Sequence, residues 1–286
     1  MTGIILAGGY ATRLKPCTFV IGKTLLPIYD KPMIFYSVGL LIESGADHII
    51  ITCNKLEEVL YKHLFVERFG SYGVKFDIVT EDAPKGPAYG IYTAMEKCNG
   101  DDVVAIFGDN VFLSLNLPAM IKKYSEENKG TTIFVKEVED PKRFGVVELD
   151  KNGKFVDMEE KPQNPKSNLA VTGLMIFKND VFKKIETLTP SARGELETTD
   201  LIKLYLKENR ATVKILPGSD LWLDTGTHES MLECSNIVKE YQNKNGLVGC
   251  IELCLYDRGK ITRETLENLA KVYPKNYQDL ILNYKN

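Results

Sequence analysis

The stretch Gly3-Ile4-Ile5-Leu6-Ala7-Gly8-Gly9-Tyr10-Ala11-Thr12-Arg13-Leu14 joins a short apolar run directly to a pair of glycines and an arginine. The apolar run predicts a buried β-strand over Gly3–Ala7. Paired glycines at the carboxyl end of a strand let backbone N–H groups approach an anion closely, and the Arg13 guanidinium offers a rigid fork of donors for phosphate oxygens. The stretch therefore indicates an α/β fold with an anion site beside its first strand, unless the glycines form only a tight turn.

The rest of the first half repeats this alternation of apolar strands and helical patterns. Strands are predicted at His48–Cys53, Val74–Thr80, Asp102–Phe107 and Thr131–Val138, and helices at Pro32–Ser44, Lys55–Phe69, Ala88–Cys98 and Leu117–Asn128. Such an alternation is typical of a mainly parallel sheet with helices on both faces.

The pattern changes after Asp140, where Lys151-Asn152-Gly153 predicts a hairpin turn between two strands. The later strands are predicted at Phe144–Asp150, Lys154–Glu159, Asn168–Phe177 and Ala211–Leu216, and the helices at Asp180–Thr187, Thr198–Glu208 and Thr227–Tyr241. Two more helices, Thr262–Val272 and Asn276–Asn283, are expected in the last forty residues. With neither a repeat nor a flexible linker, we expect one domain.

The composition excludes several classes of protein. The 286 residues include 36 Lys and Arg against 39 Asp and Glu, a net charge of −3, so a broad basic face for nucleic acid is not expected. No stretch reaches the ~18 apolar residues of a membrane span, and the N-terminus lacks the features of a signal peptide. Six scattered cysteines without a CxxC pair disfavour zinc, so we expect buried thiols at Cys250 and Cys254 and a cytoplasmic location.

Two common phosphate-binding motifs are also excluded. Ala11 and Leu14 break the dinucleotide pattern G-x-G-x-x-G. Gly22-Lys23-Thr24 looks like the end of a P-loop, but Cys17 stands where the first glycine would be, and no strand precedes it. Lys23 remains a candidate phosphate ligand that is presented by a loop.

Two aspartates and one acidic–basic pair are the next candidates. Asp109, in Gly108-Asp109-Asn110, follows a predicted strand, and Asp224 lies between an apolar run and a glycine turn. Mg²⁺ is often held by one or two carboxylates together with substrate phosphates. Each aspartate could instead occupy a turn or cap a helix. Glu160-Lys161 could bind a sugar hydroxyl and a phosphate, or could be a charged turn, and His228 is expected to start a helix.

Together these motifs are far more specific than any one of them, and the chain resembles the sugar-1-phosphate nucleotidyltransferases, most of all their thymidylyltransferase branch. The motifs that carry the resemblance extend over essentially the whole chain: Gly8-Gly9-x-x-Thr12-Arg13-Leu14-x-Pro16, Lys23-x-Leu25-Leu26-Pro27, Gly108-Asp109-Asn110, Arg143-Phe144-Gly145-Val146-Val147-Glu148, Glu159-Glu160-Lys161-Pro162, Ala170-Val171-Thr172-Gly173, Ala192-Arg193-Gly194-Glu195-Leu196-Glu197 and Trp222-Leu223-Asp224-Thr225-Gly226.

The resemblance implies a Rossmann-like nucleotidyltransferase fold with a mixed, mainly parallel central sheet and C-terminal helical additions. It implies Mg²⁺-dependent transfer from dTTP to α-D-glucose 1-phosphate, which gives dTDP-glucose for dTDP-rhamnose biosynthesis. It also suggests a homotetramer with a separate regulatory nucleotide site. Residues 1–140 would form the nucleotide-binding part, 141–226 the sugar-binding part and 227–286 the C-terminal helices.

The same resemblance assigns roles to residues. The catalytic group would be Arg13, Lys23, Asp109 and Lys161. The nucleotide would contact Leu6, Gly8, Gly9, Arg13, Glu81, Gly86 and Asp109. The sugar phosphate would contact Gly145, Glu160, Lys161, Val171 and Arg193. Mg²⁺ would be held by Asp109 and Asp224.

Two positions depart from the family pattern. Ala11 replaces a glycine, so its backbone is expected either to keep a negative φ or to tolerate mild strain. Glu81 stands where the thymidylyltransferases usually carry Gln, whose amide both donates and accepts. An ionised Glu only accepts, which suits guanine, so UTP or GTP remains an alternative. Glu81 could instead be protonated by burial, or turned away from the base.

Two other functions are possible alternatives to the transferase. A non-catalytic sugar-nucleotide-binding subunit would have no chemical need for Arg13, Lys23, Asp109 and Asp224 together. A nicotinamide-dependent oxidoreductase is disfavoured because G-x-G-x-x-G is missing. Another sugar 1-phosphate could use the same contacts as glucose 1-phosphate.

Overall fold

A nine-stranded mixed sheet forms the centre of the computed structural model, which describes residues 1–9, 11–83 and 85–284. The strands, including those of two small two-stranded sheets, are β1 Thr2–Leu6, β2 Pro27–Ile28, β3 Lys31–Pro32, β4 His48–Asn54, β5 Lys75–Glu81, β6 Val103–Phe107, β7 Asn110–Leu113, β8 Thr131–Glu137, β9 Gly145–Leu149, β10 Phe155–Glu160, β11 Leu169–Phe177, β12 Ala211–Ile215 and β13 Leu221–Asp224. The helices are α1 Ile34–Glu43, α2 Glu58–Tyr61, α3 Pro87–Thr93, α4 Leu117–Glu127, α5 Val181–Ile185, α6 Thr198–Lys207, α7 His228–Asn245, α8 Ile251–Asp257, α9 Arg263–Ala270 and α10 Lys275–Leu282.

Alternate side chains along the central strands pack on opposite faces of the sheet, because successive residues of a strand point to opposite sides. Ile4 and Ile50 belong to one core, and their neighbours Ile5 and Ile51 belong to the other. α3, α5 and α6 contribute to the first core, and α1 and α8 to the second. Both faces are therefore covered by helices, as the alternation in the sequence predicts.

The sheet runs in the order β10-β9-β11-β6-β1-β4-β5; off this path, β8 pairs with β11, and β12 pairs with β8. β6, β1, β4 and β5 are parallel neighbours, whereas β11 is antiparallel to β6, β8 and β9. The predicted mixed α/β sheet with C-terminal helices is confirmed. The carboxyl ends of β1, β6 and β5 meet at one edge of the sheet, and this edge is where open α/β sheets bind ligands.

The predicted helix over Lys55–Phe69 is interrupted. It begins with a 3-10 turn at Lys55–Glu57, continues as α2, and widens into a π-helical segment at Lys62–Glu67. Tyr61, Phe65 and Phe69, each four residues from the next, are all fully buried. In a regular helix of about 3.6 residues per turn such side chains drift around the axis, and the wider turn keeps them facing the core.

The C-terminal region contains one more helix than the sequence predicts. α8 is almost entirely buried, with Ile251 and Leu255 fully enclosed, so it has no polar face to reveal its helical period. Cys250 and Cys254 are buried free thiols, which confirms that prediction. No helix in the described ranges combines the length and the apolar character needed to cross a membrane.

A buried polar network attaches the C-terminal helices to the core. The Glu252 carboxylate is only 1% exposed, and it accepts hydrogen bonds from Arg68 at 3.2 Å and from the Tyr273 hydroxyl at 2.5 Å. Arg68 also donates to the Tyr273 hydroxyl at 2.8 Å. The three residues come from distant parts of the sequence, so the network ties α8 and the segment after α9 to the end of the π-helical segment.

We expect Glu252→Ala to lower the free energy of unfolding by about 1.5–3 kcal/mol, because Arg68 and the Tyr273 hydroxyl lose their shared buried acceptor, while the partly exposed guanidinium keeps some contact with water. Chemical denaturation measures this change. The matched control is Glu267→Ala, which removes a half-exposed ion pair with Arg263 on α9 and should cost less than about 1 kcal/mol. Equal effects of the two substitutions would contradict a structural role for the buried network.

Candidate active site

A cleft of about 820 Å³ opens along the carboxyl edge of the sheet. It brings together every residue that the resemblance assigns to the site. These are Leu6, Gly8, Gly9, Arg13, Lys23, Glu81, Gly86, Asp109, Gly145, Glu160, Lys161, Val171, Arg193 and Asp224. The cleft is also lined by residues without a predicted role, among them Arg143, Glu197, Thr199 and Trp222.

The glycine loop after β1 forms one wall of the cleft. Arg13 is exposed on a 3-10 turn, Thr12–Leu14, which is anchored by the buried side chain of Leu14. Ala11, directly before this turn, has φ 44° and ψ 47°. The expected alternative of a negative φ is therefore wrong, and the alternative of strain holds, because the left-handed conformation costs an L-residue about 1–2 kcal/mol. Such strain is found mainly at functional sites.

Lys23 reaches the cleft from the loop between β1 and β2. Its ammonium group lies 2.6 Å from an Asp109 carboxylate oxygen, and the residue is 8% exposed. The preceding Gly22 packs so closely on Glu57 that a Cβ at Gly22 would overlap the carboxylate of that residue. This contact holds the loop against the core, so Lys23 has little freedom to move away from Asp109.

Asp109 and Asp224 lie at the neighbouring ends of the paired strands β7 and β13. Asp109 directly precedes β7, and Asp224 ends β13, where it is paired with Asn110. The Thr225 hydroxyl donates to the backbone carbonyl of Asp109 at 2.8 Å, which links the two strand ends. The antiparallel pairing of β7 with β13 thus brings together two carboxylates that are far apart in the sequence.

Asp224 is not a helix cap. The N-cap of α7 is Thr227, whose hydroxyl accepts a hydrogen bond from the Ser230 backbone N–H, and His228 is the first residue of the helix, as predicted. Asp224 instead accepts from the Arg143 guanidinium at 2.6 Å. Arg143 belongs to a motif that supports the resemblance, but the sequence reasoning gave it no role.

The carboxylates of Asp109 and Asp224 fit a Mg²⁺ ion by their chemistry. Both supply oxygen ligands at the end of the β7–β13 pair where Asp224 lies opposite Asn110. The cleft leaves room for substrate phosphates to complete the coordination. Within the described ranges, no cluster of three or more Asp, Glu, His or Cys side chains could hold a metal by itself. The donor set therefore suits an ion that is shared between protein and substrate.

The sugar end of the cleft is built from β9, β10, β11 and α6. A Cβ at Gly145 would lie 3.2 Å from Glu160 Oε2, 3.5 Å from Thr199 Oγ1 and 3.6 Å from Val171 Cγ2. Thr199 donates to Glu160 at 2.8 Å and so orients its carboxylate. Lys161 has a left-handed backbone with φ 46°, a second strained residue in the same cleft.

Arg193 lies among carboxylates at this end. Its guanidinium is 2.9 Å from Glu195, 3.3 Å from Glu197 and 3.6 Å from Glu160. Glu197 is 4% exposed, and burial raises its pKa, while a hydrogen bond from Ser191 and the charge of Arg193 partly oppose this rise. Glu197, for which the sequence predicted no role, therefore anchors Arg193 from the wall of the cleft.

Trp222 forms an apolar wall between the two ends. Its ring lies 5.0 Å from that of Phe144, and its indole N–H donates to Asn110 Oδ1 at 2.9 Å. Because the chain has one tryptophan, its fluorescence can report on occupancy of the cleft.

Glu81 ends the edge strand β5 at the other end of the cleft. Burial raises the pKa of its carboxyl group to about 7, although a hydrogen bond from the Thr52 hydroxyl acts in the opposite direction. Near neutral pH the group therefore exists in both its neutral and its ionised form.

The comparisons with known proteins agree with this geometry. The family model described as "Nucleotidyl transferase" matches residues 2–241. The glucose-1-phosphate thymidylyltransferase of Neisseria meningitidis is 39% identical over 96% of this chain and 96% of its own length. That of Xanthomonas campestris is 38% identical over 96% and 93%.

Solved structures give the same result. A Bacillus anthracis protein, described as a candidate glucose-1-phosphate thymidylyltransferase in complex with a sucrose, is similar with a TM-score of 0.75 at 35% identity, over 83% of this chain and 95% of that one. A UDP-glucose pyrophosphorylase complexed with UDP-glucose is similar with a TM-score of 0.73 at 26% identity, over 84% and 98%. With a family model that spans most of its length, and relatives this similar over nearly all of it, the chain belongs to the nucleotidyl transferase family.

Proposed function

We propose that the protein is a glucose-1-phosphate thymidylyltransferase, which joins dTTP and α-D-glucose 1-phosphate to give dTDP-glucose and pyrophosphate. The observation that carries the proposal is the distribution of charge in the cleft. Arg13 and Lys23 lie at the glycine loop, and Lys161 and Arg193 lie at the sugar end. One cleft thus presents two pairs of cations, which suit two phosphorylated substrates. The same cleft also contains the carboxylates of Asp109 and Asp224.

The reaction needs little acid–base chemistry. A phosphate oxygen of glucose 1-phosphate attacks the α-phosphorus of dTTP, a new P–O bond forms, and the bond to the β-phosphate breaks as pyrophosphate leaves. The nucleophile is already an anion, so it requires no strong general base. The main obstacles are the repulsion between two polyanions and the charge that develops on pyrophosphate, and fixed cations lower both.

We propose Mg²⁺ as the cofactor, held by Asp109 and Asp224 together with the phosphates of the nucleotide. The ion would neutralise phosphate charge when bound. In the structure the same two carboxylates are paired with Lys23 and Arg143. These two cations hold the carboxylates in place, and they would also offer donors to the phosphate oxygens of the substrates.

A substrate panel tests the proposed function. Pyrophosphate release is measured with dTTP, UTP, GTP and CTP, each combined with glucose, amino-sugar and deoxysugar 1-phosphates. We expect the highest kcat/KM for dTTP with glucose 1-phosphate. A clear preference for GTP or for another sugar would overturn the substrate assignment, and no release with any pair would favour a non-catalytic regulatory protein.

Three features implied by the resemblance stay predictions: the homotetramer with its regulatory nucleotide site, the cytoplasmic location, and the supply of dTDP-glucose to dTDP-rhamnose biosynthesis. The division of labour among residues 1–140, 141–226 and 227–286 also stays a prediction.

A further inference from the structure

A chain of three hydrogen-bonding side chains connects the loop of Lys23 to the helical segment after β4. The Thr24 hydroxyl is hydrogen-bonded to the Tyr61 hydroxyl, which donates to the Glu57 carboxylate at 3.4 Å. Tyr61 has a single hydroxyl proton and gives it to Glu57, so Thr24 is the donor in the first of these bonds. Tyr61 is fully buried, and Thr24 and Glu57 are 4% and 8% exposed. The three side chains therefore form one ordered connection that is shielded from water.

Thr24 joins the two loops that form the ion pair between Lys23 and Asp109. It directly follows Lys23 in the chain, and a Cβ at Gly108 would lie 3.1 Å from its Cγ2 atom. The Thr24 methyl group therefore packs on the residue that precedes Asp109. Because the Lys23 ammonium group and the Asp109 carboxylate are 2.6 Å apart, a small shift of Thr24 would change where the ammonium group lies in the cleft.

The other end of the connection is held against the core. A Cβ at Gly22 would overlap the Glu57 carboxylate, and the π-helical segment Lys62–Glu67 begins directly after Tyr61. Such π-helical turns are frequent at functional sites. Burial raises the pKa of Glu57, hydrogen bonds from Asn54 and Tyr61 oppose this rise, and no cation of the described residues contributes to it. A buried carboxylate that is held only by neutral groups is costly, and such costs are found mainly at functional or strained sites.

We propose that Tyr61 is a positioning residue for Lys23, an inference that rests on the proposed function for the role of Lys23 itself. The Tyr61 hydroxyl holds Thr24, and Thr24 fixes the backbone from which the Lys23 ammonium group reaches the cleft. A lysine carries a point charge on a flexible stem, so its own geometry does not fix its position. Its charge stabilises the developing charge on pyrophosphate only if it is in place before the reaction. Tyr61 itself does not line the cleft, so it acts on the rate without touching substrate.

Tyr61→Phe tests the proposal because it removes the hydroxyl and keeps the buried ring. We expect kcat for dTTP with glucose 1-phosphate to fall about tenfold, because a misplacement of about 1 Å can cost roughly 100-fold in rate and the Lys23 ammonium group should move by less than that. The KM for glucose 1-phosphate should stay within about twofold, since that substrate would bind at the sugar end of the cleft. Thr24→Val, which keeps the methyl contact with Gly108 and loses the hydroxyl, should give the same loss of kcat.

Tyr205→Phe is the matched control. Tyr205 is also fully buried, and its hydroxyl donates to the Asp180 carboxylate at 2.9 Å, but it belongs to the core on the opposite face of the sheet from Tyr61. Each substitution removes one buried hydroxyl that donates to a carboxylate, and only Tyr61→Phe should lower kcat. An equal loss of kcat in the two variants would overturn the proposal, as would a wild-type kcat in Tyr61→Phe.

A double-substitution cycle distinguishes the positioning of Lys23 from general damage to the fold. Lys23→Met keeps a long apolar stem and removes the charge. In the Lys23→Met background Tyr61→Phe has no charge left to position, so it should cause no further loss of kcat. The same fractional loss in both backgrounds would contradict the proposal, because independent effects add in free energy.

Amide hydrogen exchange of the free protein gives a readout that does not depend on catalysis. The backbone N–H groups of Leu25 and Leu26 donate to the carbonyls of Gly22 and Lys23, within the short turn that carries Lys23. We expect both amides to exchange at least about tenfold faster in Tyr61→Phe than in the wild type, and at the wild-type rate in the control variant. Unchanged exchange in Tyr61→Phe would overturn the inference. Failure of the proposed function looks different, because the wild type would then release no pyrophosphate with any substrate pair, while the difference in exchange would remain.

Discussion

Asp109→Ala and Asp224→Ala should each reduce kcat/KM with dTTP and glucose 1-phosphate by at least about 10³-fold at saturating Mg²⁺. Each substitution would remove one of the two carboxylates that we propose as metal ligands, and the remaining one would not hold the ion and the phosphates in the same place. The loss should appear in Mg²⁺-dependent turnover, measured by pyrophosphate release over a titration of the metal.

Neither side chain is part of the hydrophobic core, so the fold should survive both substitutions, but Asp109→Ala leaves the buried Lys23 ammonium without its counter-ion and should lower the free energy of unfolding more than Asp224→Ala does. Asp109 is about one-third exposed and Asp224 about one-quarter exposed. The thermal unfolding temperature without Mg²⁺ separates a lost ligand from a damaged fold. Asp109→Asn is the more conservative variant, since it keeps the shape and an oxygen acceptor beside Lys23. Wild-type rates in either Ala variant would contradict the metal assignment.

The part of the site that could be predicted from the sequence depends on strand ends. Gly8 and Asp109 each follow an apolar run, and the carboxyl ends of parallel strands meet at one edge. The local sequence patterns alone therefore predict that these residues lie close together. The resemblance then extended the set to residues of the antiparallel half, such as Glu160 and Arg193, whose positions no local pattern could give.

The contacts that were missed depend on pairings between distant segments. Arg143 reaches Asp224 only because β13 pairs with β7. Both strands are four residues long, and strands this short carry little alternation to distinguish them from turns. Glu197 looks like one more charged loop residue in the sequence, and its burial beneath Arg193 becomes visible only when the turn at residues 191–194 is formed.

The net charge of −3 does not show how cations and carboxylates are arranged around the cleft. Three cations of the cleft face carboxylates: Lys23 faces Asp109, Arg143 faces Asp224, and Arg193 faces Glu197. A cation that is held by a carboxylate is positioned before substrate arrives, which reduces the cost of organising the site around phosphate. Arg13 differs, since none of the described residues forms an ion pair with its guanidinium.

Arg13→Ala should therefore lower kcat by about 10³-fold without affecting stability. The guanidinium is exposed on its short turn, and a Cβ at Gly226 would lie 3.4 Å from its Nη2 atom and 3.2 Å from Asp224 Oδ2, so Arg13 is close to the candidate metal site. Removal of a cation that contacts a transferring phosphate typically costs about 10³–10⁵ in rate. The kcat of Arg13→Lys should lie between that of the wild type and that of Arg13→Ala, because the lysine keeps the charge and loses the fork of donors.

Lys15→Ala is the matched control for Arg13→Ala, because it removes an exposed cation from the same loop, where Lys15 lies 5.5 Å from the centre of the Phe19 ring. We expect its kcat to stay within about threefold of wild type. Trp222 fluorescence checks that each variant still binds glucose 1-phosphate at the other end of the cleft. Equal losses in Arg13→Ala and Lys15→Ala would mean that the loop contributes only general positive charge. A loss confined to Arg13 supports a directed contact with the triphosphate, because only a group in one fixed position can discriminate between these two cations.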